Sequence, residues 1–333
     1  MKPRQFVDFA VKMFENKHPF LVVGPPGVGK TDLNNEAARR AKVELITSHP
    51  AVGTPIDFKG LPMPNGKGEA DFIPIGDLRK LVTAKKPTVF FMDDIGHATP
   101  AVQAALMQLF RARQIGEHKV SDHVVFCAAS NRAEDRAGVH QMLEPVKSRF
   151  MTIVNLEPDV DEWVQWAIGA KLPPVLIAFI MWKRNMLFDF QPQPGLVNSP
   201  CPRTVEHVGK LLQMGIPVGL DFEIIQGAVG KGFATEFCAF MAIQSKLPPI
   251  DEALGNPEGI NIPTDRPDIA FALVSSAAHA VKVNQMPNFT KLVARFAKPI
   301  EVLGMLLLKQ RDTKYQETAA FIGWAKANQE YLF

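Results

Sequence analysis

The sequence has only three cysteines, Cys127, Cys201 and Cys238, and no two of them stand at a paired spacing. That argues against a disulfide frame or a zinc knuckle and points to a reducing compartment. The eight histidines are scattered with no metal-ligand spacing among them. A large excess of charge of one sign is also missing. A net charge of +3 over 333 residues neither argues for a nucleic-acid partner nor excludes one. No apolar run is long enough for a bilayer. The longest, Pro173–Trp182, falls well short of the ~20 residues a span needs, and Lys183 and Arg184 follow it. Repeats and low-complexity tracts are absent. The first stretch, MKPRQFVDFAVKMFENKHPF, is amphipathic and carries acids, so it does not read as a signal peptide. What remains is an ordinary apolar fraction, and the expectation is a folded, soluble protein of the cytoplasm with no membrane partner.

Along the chain, residues 5–16 carry apolar residues at helical spacing, and PFLVVG is a short apolar strand ending at Gly24. KTDLNNEAARRA reads as a helix and VELITSH as a second strand. Pro50 to Gly76 is rich in Gly and Pro, which predicts a long irregular insertion, functional or mobile. GDLRKLVTA is helical and TVFFMDDI is a buried strand. A helix start at Thr99-Pro100 and a stop at Gly116 bracket TPAVQAALMQLFRARQIG. HVVFCAASN is the fourth strand, VHQMLEPVKSRF is a helix with a proline break, and MTIVNLEP is the fifth strand. Strands alternating with helices predict an α/β fold with a parallel sheet covered on both faces. After Pro158 every periodic segment is helical, and the Pro- and Gly-rich stretch from Leu247 to Pro267 is the best internal boundary. Phe321 and Trp324, three apart on a helical segment, read as core.

Gly24–Thr31, GPPGVGKT, fits G-x-x-x-x-G-K-[ST], and it lies between a buried strand and a helix. Glycines let backbone N–H groups turn inward around phosphate oxygens, and the helix dipole points to the same place. Gly24, Gly27, Val28 and Gly29 supply this loop, and Pro25 and Pro26 stiffen it. Lys30 would reach the β- and γ-phosphates of ATP, and the Thr31 hydroxyl would ligate Mg²⁺. Downstream, TVFFMDDIGHA drives an apolar strand into two carboxylates, Asp93 and Asp94. A magnesium nucleotide would balance that charge. Asp93 would hold the metal, and Asp94 would orient the water that attacks the γ-phosphate. Capping of the next helix is the competing reading of the two acids, but Thr99 serves that helix better.

With both motifs placed, the chain resembles an AAA+ ATPase, and within that superfamily the MoxR-like branch, related to the dynein and McrB types. The resemblance covers roughly residues 1 to 215. GPPGVGKT and VFFMDD match its Walker A and Walker B motifs. VVFCAASN resembles the sensor 1 strand, which would make Asn131 a partner of the γ-phosphate or the water. LEPVKSRF resembles the arginine-finger segment, which offers Arg149 to a neighbouring subunit, with Arg136 competing for that role. SPCPRT resembles the start of the sensor 2 helix and implicates Arg203. On the residues alone, Asn131 also reads as a turn residue, Arg149 as a surface ion-pair partner and Arg203 as the start of a solvated helix. The resemblance implies a P-loop NTPase sheet of order 5-1-4-3-2 in residues 1–156. A helical lid in 157–248 and a helical C-terminal extension in 249–333 would follow, in a homo-oligomeric ring, usually a hexamer. It also implies remodelling of a protein client, often with a von Willebrand A-type partner. Two departures stand out. The family carries Asp-Glu where this chain has Asp93-Asp94, and a side chain one methylene shorter predicts slow hydrolysis. Gly96 and His97 replace the Asn and Arg the family favours. A nucleic-acid motor of the McrB kind is the second reading, without a strongly basic arm to support it. An ATP-gated scaffold with little hydrolysis is the third.

The insertion contains Phe58-Lys59-Gly60, which looks like the aromatic–x–glycine signature of a pore loop. The competing reading is an ordinary insertion with Phe58 in the core. RQIGEHKVSDH resembles the hairpin that precedes sensor 1. Lys59, Lys67 and Lys119 would give such a pore a mildly basic lining.

Overall fold

The computed structural model describes residues 1–66, 68–135, 142–191, 197–216, 219–244, 246–262 and 266–331. The chain forms two compact units, Met1–Asp159 and Val160–Phe333.

The first unit is built on five parallel strands: β1 (Phe20–Val23), β2 (Glu44–Ser48), β3 (Thr88–Met92), β4 (Val124–Ser130) and β5 (Thr152–Asn155). Their order is β2-β3-β4-β1-β5, which read from the other edge is the expected 5-1-4-3-2. Every residue of β3 and β4 is buried, as central strands covered on both faces require. The two-residue period splits them between two cores. Leu21, Phe90, Met92, Phe126 and Ala128 face one. Phe20, Val22, Val89, Phe91, Cys127 and Ala129 face the other.

Helices α1 (Pro3–Glu15) and α2 (Lys30–Ala41) cover the second of these faces. α1 buries Phe6, Val7, Ala10, Met13 and Phe14, a stripe at helical spacing. Its aromatics close around Phe20, whose ring lies 5.2 Å from Phe9, 5.6 Å from Phe14 and 6.1 Å from Phe6. α3 (Gly76–Thr83) and α4 (Pro100–Ala112) cover the other face with Leu78, Leu81, Val102, Leu106 and Leu109.

α4 ends before the expected Gly116. Arg113 takes a left-handed conformation at φ 47 and closes the helix. Its guanidinium donates to the carbonyls of Ser121 and Val124 at 2.9 and 2.8 Å, over the ring of Phe126. Those bonds tie down a small hairpin, Gln114–Ile115 with His118–Lys119, and Gly116 is its turn. The insertion expected to be irregular is also ordered. It holds a one-turn helix, Ile56–Lys59, and an antiparallel hairpin, Leu61–Pro64 with Ala70–Ile73. Prolines at positions 62 and 64 disguised the first strand.

Among its described residues the second unit is helical throughout. Its main helices are α5 (Val160–Gly169), α6 (Pro174–Trp182), α7 (Pro202–Met214), α8 (Asp221–Val229), α9 (Lys231–Gln244), α10 (Pro267–Ala280), α11 (Met286–Val293), α12 (Lys298–Arg311) and α13 (Ala319–Ala327). One apolar core runs through them from Trp163 to Trp324. α6 is apolar on all sides because it lies inside that core, with Phe179 against Phe233, Phe237 and Phe240. Phe321 and Trp324 are buried as expected, and the Trp324 indole N–H donates to the buried Glu301 carboxylate at 2.6 Å. No described helix is long and apolar enough to cross a membrane.

Candidate functional site

Parallel strands place their carboxyl ends on one edge, and loops there converge from distant parts of the sequence. In the first unit β4 lies between β3 and β1. The residues after these three strands, Asp93, Asn131 and Gly24, are therefore neighbours although 38 to 107 positions separate them in pairs along the chain.

The loop after β1 is held tightly at its root. The Gly24 N–H donates to the Ser130 carbonyl at 3.2 Å. A Cβ at Gly24 would stand 2.7 Å from the Leu156 carbonyl oxygen, so the neighbouring strand leaves no room for a side chain. Gly27 and Gly29 take φ of 71° and 97°, which turn the backbone in a way L side chains resist. As a result, none of the described hydrogen bonds is donated by the backbone N–H of Gly27, Val28, Gly29 or Thr31. The first N–H of α2 to find a helical acceptor is that of Leu33, on Gly29. These donors at a twelve-residue helix's positive end form a cradle for an anion.

Lys30 lies in the same cradle, only 6 % exposed. Its ammonium donates to the carbonyls of Gly24 and Pro25 at 2.9 and 3.0 Å and to Asn131 Oδ1 at 2.7 Å. Thr31 Oγ1 donates to Asp93 Oδ2 at 2.6 Å. Asp93 is fixed from behind, where its N–H donates to the Ser48 carbonyl, and its other oxygen accepts the N–H of Asp94 at 3.1 Å. Asp94 sits at φ 53, a left-handed conformation that Asp and Asn tolerate better than most residues. One of its oxygens accepts from Asn131 Nδ2 at 3.4 Å, and His97 Nδ1 lies 3.9 Å from the same oxygen. The Asn131 amide thus links the lysine to the second acid.

Two residues the sequence reading missed lie beneath this site. Asn34, fully buried on α2, donates to the Lys30 carbonyl at 2.8 Å and accepts from the Cys127 thiol. Burial first, and the charge of Asp93 second, push that thiol's pKa well up. Cys127 therefore stays a neutral packing group rather than a nucleophile. A polar residue four positions after a P-loop lysine was the only sequence signal for Asn34.

The oxygen donors fit magnesium. A hydroxyl and a carboxylate 2.6 Å apart offer a hard cation two protein ligands, and Mg²⁺ characteristically takes few such ligands beside water and phosphate. The described residues contain no cluster of three or more acidic, His or Cys side chains that would suit a metal held by protein alone.

The other expected site residues lie apart. Arg149 is exposed after the one-turn helix Glu144–Lys147, and its side chain makes no described hydrogen bond or ion pair. Residues 139–141 of the helix expected there, and Arg136, lie outside the described residues. Arg203 is exposed in the first turn of α7, in the second unit. The pore signature is corrected. Phe58 is 3 % exposed and packs in the first unit's core, so it is no exposed grip. Gly60 is buried as well, with φ 88, and a Cβ there would meet the Ile73 carbonyl at 2.8 Å. Lys59 is exposed, and Lys67 lies outside the described residues.

The sheet order and the loop around Lys30 define a P-loop NTPase fold. Residues 19–150, within the first unit, match the family model of the AAA domain, dynein-related subfamily. Solved structures resemble the chain more distantly. The RuvB Holliday junction branch migration motor of Thermotoga maritima is 15 % identical over 86 % of this chain and 86 % of its own, at a TM-score of 0.43. NtrX from Brucella abortus in complex with ADP is 13 % identical over 98 % of this chain and 68 % of its own, at 0.41. Likenesses of that size carry no argument about what this chain binds or does.

Proposed function

We propose that the chain is a magnesium-dependent ATPase of the MoxR-like kind that remodels a protein client in the cytoplasm as a homo-oligomeric ring, a hexamer by family habit. The observation that carries the reading is the convergence at one loop of unpaired N–H groups, the Lys30 ammonium, the Thr31–Asp93 pair and the Asn131 amide. Gly24 to Gly29 would wrap the phosphates, with Pro25, Pro26 and Val28 holding the loop's shape, and Lys30 would leave its carbonyls for the β- and γ-oxygens. Thr31 and Asp93 would hold magnesium, which would supply positive charge to offset that of the phosphates. Asp94 would orient the water, and Asn131 would place both that acid and the lysine. Exposed and unpaired, Arg149 suits a group offered to a neighbouring subunit's nucleotide. Arg203 would serve from residues 157–248 acting as a lid, with 249–333 as an extension that braces the ring. A von Willebrand A-type partner belongs to the same reading.

Calorimetry with millimolar ATP and magnesium tests the core of it. The wild-type chain should bind with measurable heat, and Lys30→Ala should lose most of that affinity. A folded wild-type protein that gives no heat of association would refute the reading.

A further inference from the structure

Gln103 is fully buried on α4, and the nucleotide site makes no use of it. A glutamine inside a core is uncommon and is kept there by the bonds it makes. Its side-chain amide bridges two loops. Nε2 donates to the Ala98 carbonyl at 3.1 Å, and Oε1 accepts the Leu143 N–H at 2.9 Å. One partner accepts and the other donates, so only one orientation of the amide satisfies both.

Each of the two loops carries a residue of the proposed reaction. On one side, Asp94 to Ala98 form a continuous turn. The His97 N–H donates to the Asp94 carbonyl at 2.9 Å, and the Ala98 N–H to the Ile95 carbonyl at 3.1 Å. On the other side, Leu143 is the N-cap of the one-turn helix Glu144–Lys147. The wound backbone continues past that helix, with the Ser148 N–H on the Glu144 carbonyl and the Arg149 N–H on the Val146 carbonyl. Met142, Val146 and Phe150, four residues apart, are all buried, which leaves Arg149 facing outward.

Helix α4 therefore holds the arginine's segment at two places. Near its start the Gln103 amide takes Leu143. Near its end the Phe110 ring lies 5.6 Å from that of Phe150. The two contacts fix different things. Apolar burial is non-directional and lets a segment slide, whereas a fully paired buried amide specifies one arrangement. We propose that Gln103 is a positioning residue for Arg149, setting the segment that carries the arginine in register with the turn that carries Asp94. The finger offered to a neighbouring subunit's nucleotide is thereby referenced to its own subunit's acid. This rests on the ATPase reading above and adds a residue to its machinery.

The test uses two variants of the full-length protein. Gln103→Met has a similar length and makes neither bond. Gln103→Glu keeps an acceptor for Leu143 and loses the donor to Ala98. Single-turnover hydrolysis is measured beside ATP affinity by calorimetry, with circular dichroism to report folding. Misplacing a reacting group by about 1 Å costs on the order of 100-fold, so Gln103→Met should lower turnover by about tenfold or more while affinity stays within about threefold. The decisive comparison is a double-mutant cycle. In the Arg149→Ala background, Gln103→Met should lower turnover by less than about threefold further, because the arginine it places is already gone. A glutamine that only supports the fold would cost the same factor in both backgrounds. Wild-type turnover by folded Gln103→Met would overturn the proposal, as would equal factors in the two backgrounds. Both results leave ATP binding, and with it the ATPase reading, intact. If Gln103→Met does not fold, Gln103→Glu carries the same cycle with the same criteria. A folded wild type that binds no ATP would refute the ATPase reading itself, and this proposal with it.

Discussion

Two stretches of the first unit are rich in the same two residues and put them to opposite uses. In residues 24–31 the glycines turn N–H groups toward a common centre and the prolines keep the loop from relaxing. In residues 53–76 prolines remove N–H groups from an exposed edge, and glycines let another segment approach closely. The first loop gathers backbone donors at one point, and the second strips them from an edge beside exposed apolar side chains. The two also differ in burial. Lys30 and Asp93 are buried and paired, whereas Phe72 and Met63 face solvent. Glycine and proline content therefore marks where backbone conformation matters without saying what it serves. What decides is the direction in which the N–H groups point.

The largest expected effect tests whether the donor-rich loop is complete within one chain. Arg149→Ala should reduce ATP turnover by on the order of 10³ or more while ATP affinity stays within a few-fold. Mixing it with Lys30→Ala should restore measurable turnover, since sites would form that hold an intact loop on one side and an intact arginine on the other. Turnover by Arg149→Ala alone at the wild-type rate would remove this residue from the machinery.

A smaller effect probes the link inside the site. Asn131 accepts from Lys30 and donates to Asp94, so Asn131→Ala removes a positioning contact from each. Turnover should fall on the order of 100-fold, with modest loss of ATP affinity, as single-turnover and equilibrium measurements can separate. Were affinity to collapse and turnover on bound ATP to persist, Asn131 would be a support for the loop and not a partner of Asp94.

How much of this was legible in the sequence differs between the two stretches for a physical reason. The Gly24–Thr31 loop could be read because its chemistry is local: eight consecutive residues between a strand and a helix determine it. The acids after β3 could be read because a buried strand rarely ends in two carboxylates without a partner. Asn131 needed the fold, since only the position of β4 between β1 and β3 brings it to Lys30. The hairpin was misread for the converse reason. Phe58 and Phe72 are both aromatics in a Gly- and Pro-rich stretch, and nothing local says which is buried. Tertiary packing settles it: Phe58 fits under Gly53, where a Cβ would stand 2.9 Å from its ring, and Phe72 is left outside. The early end of α4 has a similar origin. Gly116 looked like the helix stop, but the carbonyls of Ser121 and Val124 draw Arg113 into the left-handed turn three residues sooner.

The smallest effect concerns that turn and sharpens the contrast between the stretches most finely. Gly116 combines φ 55 with the Phe72 carbonyl where a side chain would go. Gly116→Ala should cost about 1–2 kcal/mol from the left-handed backbone alone, which for a domain of this size lowers Tm by roughly 2–8 °C. The phosphate loop shares no described hydrogen bond with the hairpins, so ATP binding should survive at a temperature below the transition. An unchanged Tm would mean that the turn does not support the hairpin.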